Sequence, residues 1–178
     1  MTRRNPRRGA HNEGMRSVRR ILPGPGQESV WDYPRPPRVE ASADRVRIEL
    51  GGRIVVDTTD AVRVLETSHP PVYYVPRDAV SAELSPAPGA SFCEFKGAAR
   101  YLTIASEGRR EEAAVWYYPN PAPGYEALAG RVAVHPARMD RCEVAGERVQ
   151  PQDGDFYGGW ITSRVVGPFK GAVGTLGW

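Results

Sequence analysis

Charged and apolar residues alternate one for one over Arg45-Val46-Arg47-Ile48-Glu49-Leu50, the period of a half-buried strand. Gly51-Gly52 follows, a pair able to take positive φ in a two-residue turn. Arg53-Ile54-Val55-Val56-Asp57 then returns as the second arm of a hairpin. Ala61–Glu66 alternates again and reads as a strand, with a short helical turn as the alternative; His69-Pro70-Pro71 stops any helix from continuing. Val72-Tyr73-Tyr74-Val75 is a strand by its aromatic and β-branched content. Pro76 predicts a short helix over 78–84, closed by a loop at Ser85-Pro86-Ala87-Pro88-Gly89. Further strands are predicted near 91–95, 98–104, 113–118 and 131–134, with one helical turn at 126–129. Ala145-Gly146-Glu147 sits at the tip of a second tight hairpin, between 142–144 and 148–149. Glycines interleaved with Phe156, Tyr157, Trp160, Phe169 and Trp178 predict close backbone approaches on a sheet at the C-terminal end. The expected fold class is therefore mainly β, a compact and mostly antiparallel domain with one or two short helical turns.

Composition sharpens this picture. Glycine and proline make up 36 of the 178 residues, too many for a helical bundle. The length fits one domain that can bury its own core. The net charge of +3 is unevenly spread: residues 1–20 carry seven arginines against Glu13, so the remainder is mildly acidic. The expected organisation is an Arg-rich disordered tail over 1–27, an extended packing arm over 28–43 and a single β domain over 44–178. The arm holds Trp31 and Tyr33 among prolines, a composition that packs rather than links. No apolar run reaches the ~18 residues of a membrane-spanning helix, and no secretory apolar stretch follows the basic start. The expectation is a cytoplasmic protein with no membrane partner, its two cysteines reduced. Cys93 and Cys142 form no C-x-x-C knuckle, and the histidines (His11, His69, His135) are dispersed, so no metal and no cofactor are expected.

The residues that can carry chemistry fall into a few groups. Arg63, Glu66, His69 and Tyr73 share one short stretch. They read either as a polar cluster in a pocket, with His69 as acid or base, or as a buried ion pair beside a histidine that satisfies a turn. On a straight strand Arg63 and Glu66 project to opposite faces. Cys93 lies three residues from Lys96, where an ammonium favours a nucleophilic thiolate; the bland alternative is a small core cysteine. Among the aromatics, Tyr73, Trp116 and Trp160 are expected to border a cavity, with Tyr157 nearby. The 24 basic residues are 22 arginines and two lysines. Both lysines occupy the same tetrapeptide, Phe95-Lys96-Gly97-Ala98 and Phe169-Lys170-Gly171-Ala172, which marks them as special positions.

Several segments together resemble the family known as domain of unknown function 427, sometimes catalogued under a nucleotidyltransferase-like name. They are Glu28–Glu40 (ESVWDYPRPPRVE), Ala61–Val75 (AVRVLETSHPPVYYV), Cys93–Gly97 (CEFKG), Val115–Tyr118 (VWYY), Gly130–Ala133 (GRVA) and Phe156–Trp178 (FYGGWITSRVVGPFKGAVGTLGW). The chain departs from the family pattern at Glu94, where a proline is common. The resemblance implies a two-sheet fold of the beta-tent type, shared with zinc-binding modules and methionine sulfoxide reductase B, and no settled activity. Nucleotidyl transfer itself is not expected, because the chain lacks a phosphate loop followed by paired acidic metal ligands. The expected function is a polar-aromatic pocket that binds a small molecule or peptide segment. Its candidate lining is Arg63, Glu66, His69, Tyr73, Lys96, Trp116, Tyr157, Trp160 and Lys170. The alternative is an enzyme using Cys93 as nucleophile or His69 as acid/base. Nucleic acid is expected only as a weak partner of the tail, and a homodimer is left open.

Overall fold

A computed structural model of the chain describes residues 18–175, 177 and 178. The tail expected over 1–27 therefore lies outside the described residues as far as residue 17. The strands are β1 (Glu28–Ser29), β2 (Arg38–Ser42), β3 (Val46–Leu50), β4 (Arg53–Thr58), β5 (Ala61–Leu65), β6 (Val72–Pro76), β7 (Glu83–Cys93) and β8 (Gly97–Ser106). The rest are β9 (Arg109–Tyr117), β10 (Arg131–Val134), β11 (Arg141–Val144), β12 (Glu147–Arg148), β13 (Gln150–Pro151), β14 (Trp160–Ile161) and β15 (Val165–Val166). Helical content among the described residues is limited to single 3-10 turns at 30–32, 77–79, 126–128 and 136–138. The domain is mainly β, as its periodicity predicts, and among the described residues no helix is long and apolar enough to cross a membrane.

Two antiparallel sheets carry the fold. One has seven strands in the order β2-β5-β6-β10-β9-β8-β7, and the other four in the order β12-β11-β3-β4. The predicted hairpin at Gly51-Gly52 joins β3 to β4; both glycines have positive φ (63° and 74°), and a Cβ on Gly51 would run into the Ser106 carbonyl. Alternation decides what each strand buries. Val46, Ile48 and Leu50 point from the small sheet into a core shared with Tyr73, Val75, Leu102, Ile104, Val115, Val132, Val134 and Trp160. Each such side chain removed from water contributes roughly 1.5–3 kcal/mol. The other face of the seven-stranded sheet carries a second cluster built on Val62, Val64, Tyr74, Ala99, Tyr118 and Ala133. Tyr125 and Leu128 cover one part of that face. A third cluster, Val30, Tyr33, Leu65 and Val165, fastens the N-terminal segment to the sheet. Arg38–Ser42 within that segment is itself a sheet strand, paired with β5 along its whole length.

Two local expectations are corrected. The helix over 78–84 is only the 3-10 turn Arg77–Ala79; Val80 is already extended, and the Ser81 N–H bonds to the Val55 carbonyl at 2.8 Å. The proline-rich loop at 85–89 is part of β7, which pairs with β8 from Glu83 to Cys93 with a register shift between Pro86 and Ala90. β7 is an edge strand, so prolines facing away from the ladder cost it no hydrogen bond. β9 also begins at Arg109, earlier than the expected 113, and Ala113 takes a positive φ of 53° beside a register shift in its pairing with β8.

Candidate functional site

On the outer face of the seven-stranded sheet lies a half-open cleft of about 540 Å³. Its floor comes from alternate positions of five strands: Val64 on β5, Val72 and Tyr74 on β6, Cys93 on β7, Ala99 and Tyr101 on β8, and Trp116 on β9. Register places these side chains in one row, since Tyr101 stands opposite Trp116 and Val64 opposite Val72. The Trp116 indole N–H donates to the Tyr74 hydroxyl at 3.0 Å, and the Tyr101 hydroxyl donates to Ser91 Oγ at 2.8 Å. Burial pushes the Tyr74 phenol well above its ordinary pKa. The floor thus presents ring carbon, with its polar tips turned on one another.

The walls are loops, each held by backbone bonds. The turn Glu66–His69 follows β5. Ser68 takes a positive φ of 70° at its tip, Thr67 Oγ1 donates to the Tyr33 carbonyl at 2.6 Å, and the His69 N–H donates to the Glu66 carbonyl at 3.0 Å. The His69 ring is buried and edge-on to Tyr157, with centroids 4.8 Å apart. Its Nδ1 lies 3.0 Å from the Thr67 carbonyl, which can only accept, so Nδ1 carries the proton and Nε2 is left as the free ring nitrogen. Burial lowers the His69 pKa below its ordinary value; the nearby Glu66 carboxylate works against this and the Lys170 and Arg35 cations work with it. The β7–β8 hairpin loop supplies Lys96, which is buried, with Nζ 3.8 Å from Glu66 Oε2. Glu66 also accepts from Arg35 Nη2 at 3.2 Å.

The C-terminal wall is Tyr157, Gly158 and Lys170. The Lys170 N–H donates to the Ser68 carbonyl at 2.9 Å, clipping this segment onto the His69 turn. Its ammonium donates to a main-chain oxygen of Trp178 at 2.9 Å and lies 5.7 Å from the centre of the Tyr157 ring. Gln152 staples the wall from beneath: its Nε2 donates to the Lys170 carbonyl at 2.6 Å, and its Oε1 accepts from the Gly159 N–H at 3.0 Å. The Gly158-Gly159 pair has a packing cause. A methyl on Gly158 would overlap the Trp116 ring edge (Cζ3 at 2.9 Å), and one on Gly159 would collide with the Gln152 amide.

The cleft gathers Glu66, His69, Lys96, Trp116, Tyr157, Lys170 and Cys93 from the residues singled out in the sequence. It does not take in Arg63, Tyr73 or Trp160. Arg63 projects to the opposite side of β5 from Glu66, as a straight strand requires. There its guanidinium bonds to Glu28 at 2.8 and 3.0 Å and to Glu40. Tyr73 and Trp160 are packed together between the two sheets, ring centroids 5.3 Å apart. Tyr74 takes the cleft position, because neighbouring residues on a strand face opposite ways. Cys142 lies buried in the inter-sheet core, where burial raises its thiol pKa, so it stands on the far side of the sheet from Cys93.

Sequence reasoning missed Arg35, Tyr118, His135 and Gln152 as lining residues, and ranked Tyr73 above Tyr74. His135 had a visible signal, a histidine directly after the 131–134 strand; its ring packs on Trp116 with centroids 4.5 Å apart, and burial lowers its pKa. Among the described residues no three His, Cys, Asp or Glu side chains gather as a metal-binding group. A shallower depression around Asp60, Arg77 and Arg131 contains no lysine, histidine or aromatic side chain.

Comparison with known families matches residues 38–145 to a domain of unknown function, DUF427. That span holds Glu66, His69, Cys93, Lys96, Trp116 and His135 but ends before Tyr157 and Lys170. No curated protein matches the chain.

Proposed function

The chain belongs to the DUF427 family, a membership that names no reaction, and we propose that it is a binding domain whose ligand, a small molecule or one side chain of a peptide segment, occupies the cleft beside His69. One observation carries this reading. The chain has two lysines, on loops more than seventy residues apart in sequence, and both line the same cleft with His69. Its volume is within the ~300–1,000 Å³ range of ligand sites, and its mix of ring carbon with a few converging polar groups is the usual composition of one.

The test is a thermal-shift screen of metabolite-sized compounds on the full chain, repeated on Trp116→Leu and Lys170→Gln. A ligand at ~100 times its Kd adds about 2.7 kcal/mol, so genuine hits raise Tm by several degrees. The reading expects those shifts to shrink in both variants. Shifts of equal size in both variants place the ligand elsewhere and overturn it.

A second reading is thiol chemistry at Cys93, and its support is the presence of that free, partly exposed thiol on the cleft floor. Iodoacetamide labelling of the native protein decides it. An activated nucleophile labels faster than free cysteine at pH 7; labelling at or below that rate removes this reading.

A further inference from the structure

We propose that the ligand is a planar anion, an aromatic ring bearing one carboxylate or phosphate; this rests on the binding reading above and names its ligand class. The polar groups of the cleft divide into those already partnered within the protein and those with donors still open. On the floor, Trp116 donates to Tyr74 and Tyr101 to Ser91. Along the C-terminal wall, both ends of the Gln152 amide are engaged. These groups are spent on the protein itself and present mostly flat carbon to a guest, which suits an aromatic ring.

The cations are different. Lys96 is 8% exposed, yet its ammonium makes no hydrogen bond, and its nearest carboxylate oxygen is at 3.8 Å, beyond hydrogen-bond reach. An ammonium with open donors that faces a half-enclosed cleft favours an acceptor on the guest. Lys170 makes one hydrogen bond, to a main-chain oxygen of Trp178, out of three possible. Glu66 is shared between Lys96 and Arg35 and cannot balance both. The lining holds three cations, Arg35, Lys96 and Lys170, against two carboxylates, Glu66 and Glu94, in a half-enclosed, partly apolar space. Low local dielectric strengthens the pull on a guest anion. A neutral guest would leave these donors unmet, and a cationic one would meet direct repulsion.

The test uses one ring in four charge states: indole-3-acetate, indole-3-acetamide, tryptamine and 3-indoxyl phosphate, titrated into the full-length chain by calorimetry. Indole-3-acetate or the phosphate is expected to bind at least roughly tenfold tighter than the amide, the size of one charge-assisted hydrogen bond, with tryptamine weakest. The two anions separate carboxylate from phosphate as the preferred group. Lys170→Gln and Lys96→Gln are each expected to erase most of the acid-over-amide advantage, read as the ratio of the two affinities within each variant. If Lys96→Gln fails to fold, Lys170→Gln, whose ammonium is the more exposed, decides alone. Equal affinity for acid and amide, or tighter binding of tryptamine, overturns the anion assignment and leaves the cleft reading standing. If none of the four binds at millimolar concentration in a way that Trp116→Leu alters, both fall.

Discussion

Gly158→Ala is the sharpest perturbation this structure offers, because it replaces one hydrogen with a methyl at a place where the cause of the cost is visible. Gly158 has no positive φ to excuse its lack of a side chain, so backbone strain is not involved. The added methyl would overlap the far edge of the Trp116 ring and come within 3.3 Å of His135 Nδ1. Both are ring atoms, and the indole is tied by its N–H to Tyr74. Moving the ring costs roughly 1–3 kcal/mol of overpacking strain, plus about 1 kcal/mol if the Tyr74 bond breaks. The expected loss is about 2–4 kcal/mol, a fall in Tm of roughly 4–15 °C for a domain of this size. Urea unfolding followed by circular dichroism reads it, with the m-value unchanged if only the native state is affected. The control is a double-mutant cycle with Trp116→Leu, which deletes the ring edge the methyl meets. In that background Gly158→Ala is expected to cost less than about 0.5 kcal/mol, so the two changes couple strongly. A full cost in both backgrounds refutes the collision argument and with it the explanation of why glycine stands in the Gly-Gly-Trp motif.

Other outcomes follow from the same geometry. Arg63→Met removes the cation between Glu28 and Glu40 and is expected to cost about 1–2 kcal/mol, modest because all three groups keep some solvent. Indole-3-acetate affinity is expected to be unchanged, because Arg63 faces away from the cleft; weaker binding without loss of stability would return Arg63 to the site. The histidines give a pH signature. His69 and His135 are both held below the ordinary value of 6.5 by burial. Above 6.5 both folded and unfolded states are neutral there, so nothing is gained or lost. As pH falls below 6.5 the unfolded chain takes up protons first, and stability drops until the folded-state values are passed. Carboxylates such as Glu28, which burial raises but Arg63 lowers further, lose their own contribution only at more acidic pH. Urea midpoints at pH 7.5 and 5.5 are expected to differ, and the difference to shrink in His69→Asn and His135→Gln; identical wild-type midpoints would contradict this.

Much of the fold was readable from local rules. The Arg45–Leu50 alternation, the Gly51-Gly52 turn and the strand content of Val72–Val75 each depend on neighbours within a few residues, and the structure has them. What local rules cannot supply is position within a sheet. Pro86 and Pro88 look like a loop unless one knows that β7 lies at an edge, and edge status is decided by strands far away in sequence. The same gap explains the site. Tyr73 and Tyr74 are equally plausible lining residues by composition, and only the pairing of Arg63 opposite Tyr73 tells which one shares the buried face. The opposite projection of Arg63 and Glu66, by contrast, follows from strand period alone. Trp160 was legible as important but not as core, since a short strand gives too few residues to establish a face. The two lysines were legible because they are rare here, and rarity is a signal that needs no knowledge of the fold.

The seven-stranded sheet has one more consequence, for how this protein can change over time. Its two faces share a backbone but no side chains: Tyr73, Val75, Leu102 and Val115 look toward the small sheet, while Val64, Tyr74, Ala99 and Trp116 look toward the cleft. Every second residue along a strand is therefore tied to the core between the sheets, and the residues between are tied to the second cluster and the cleft. A lineage, or an engineer, can vary the second set stepwise without dismantling the first. Such an arrangement lets the cleft lining change while the core between the sheets stays the same.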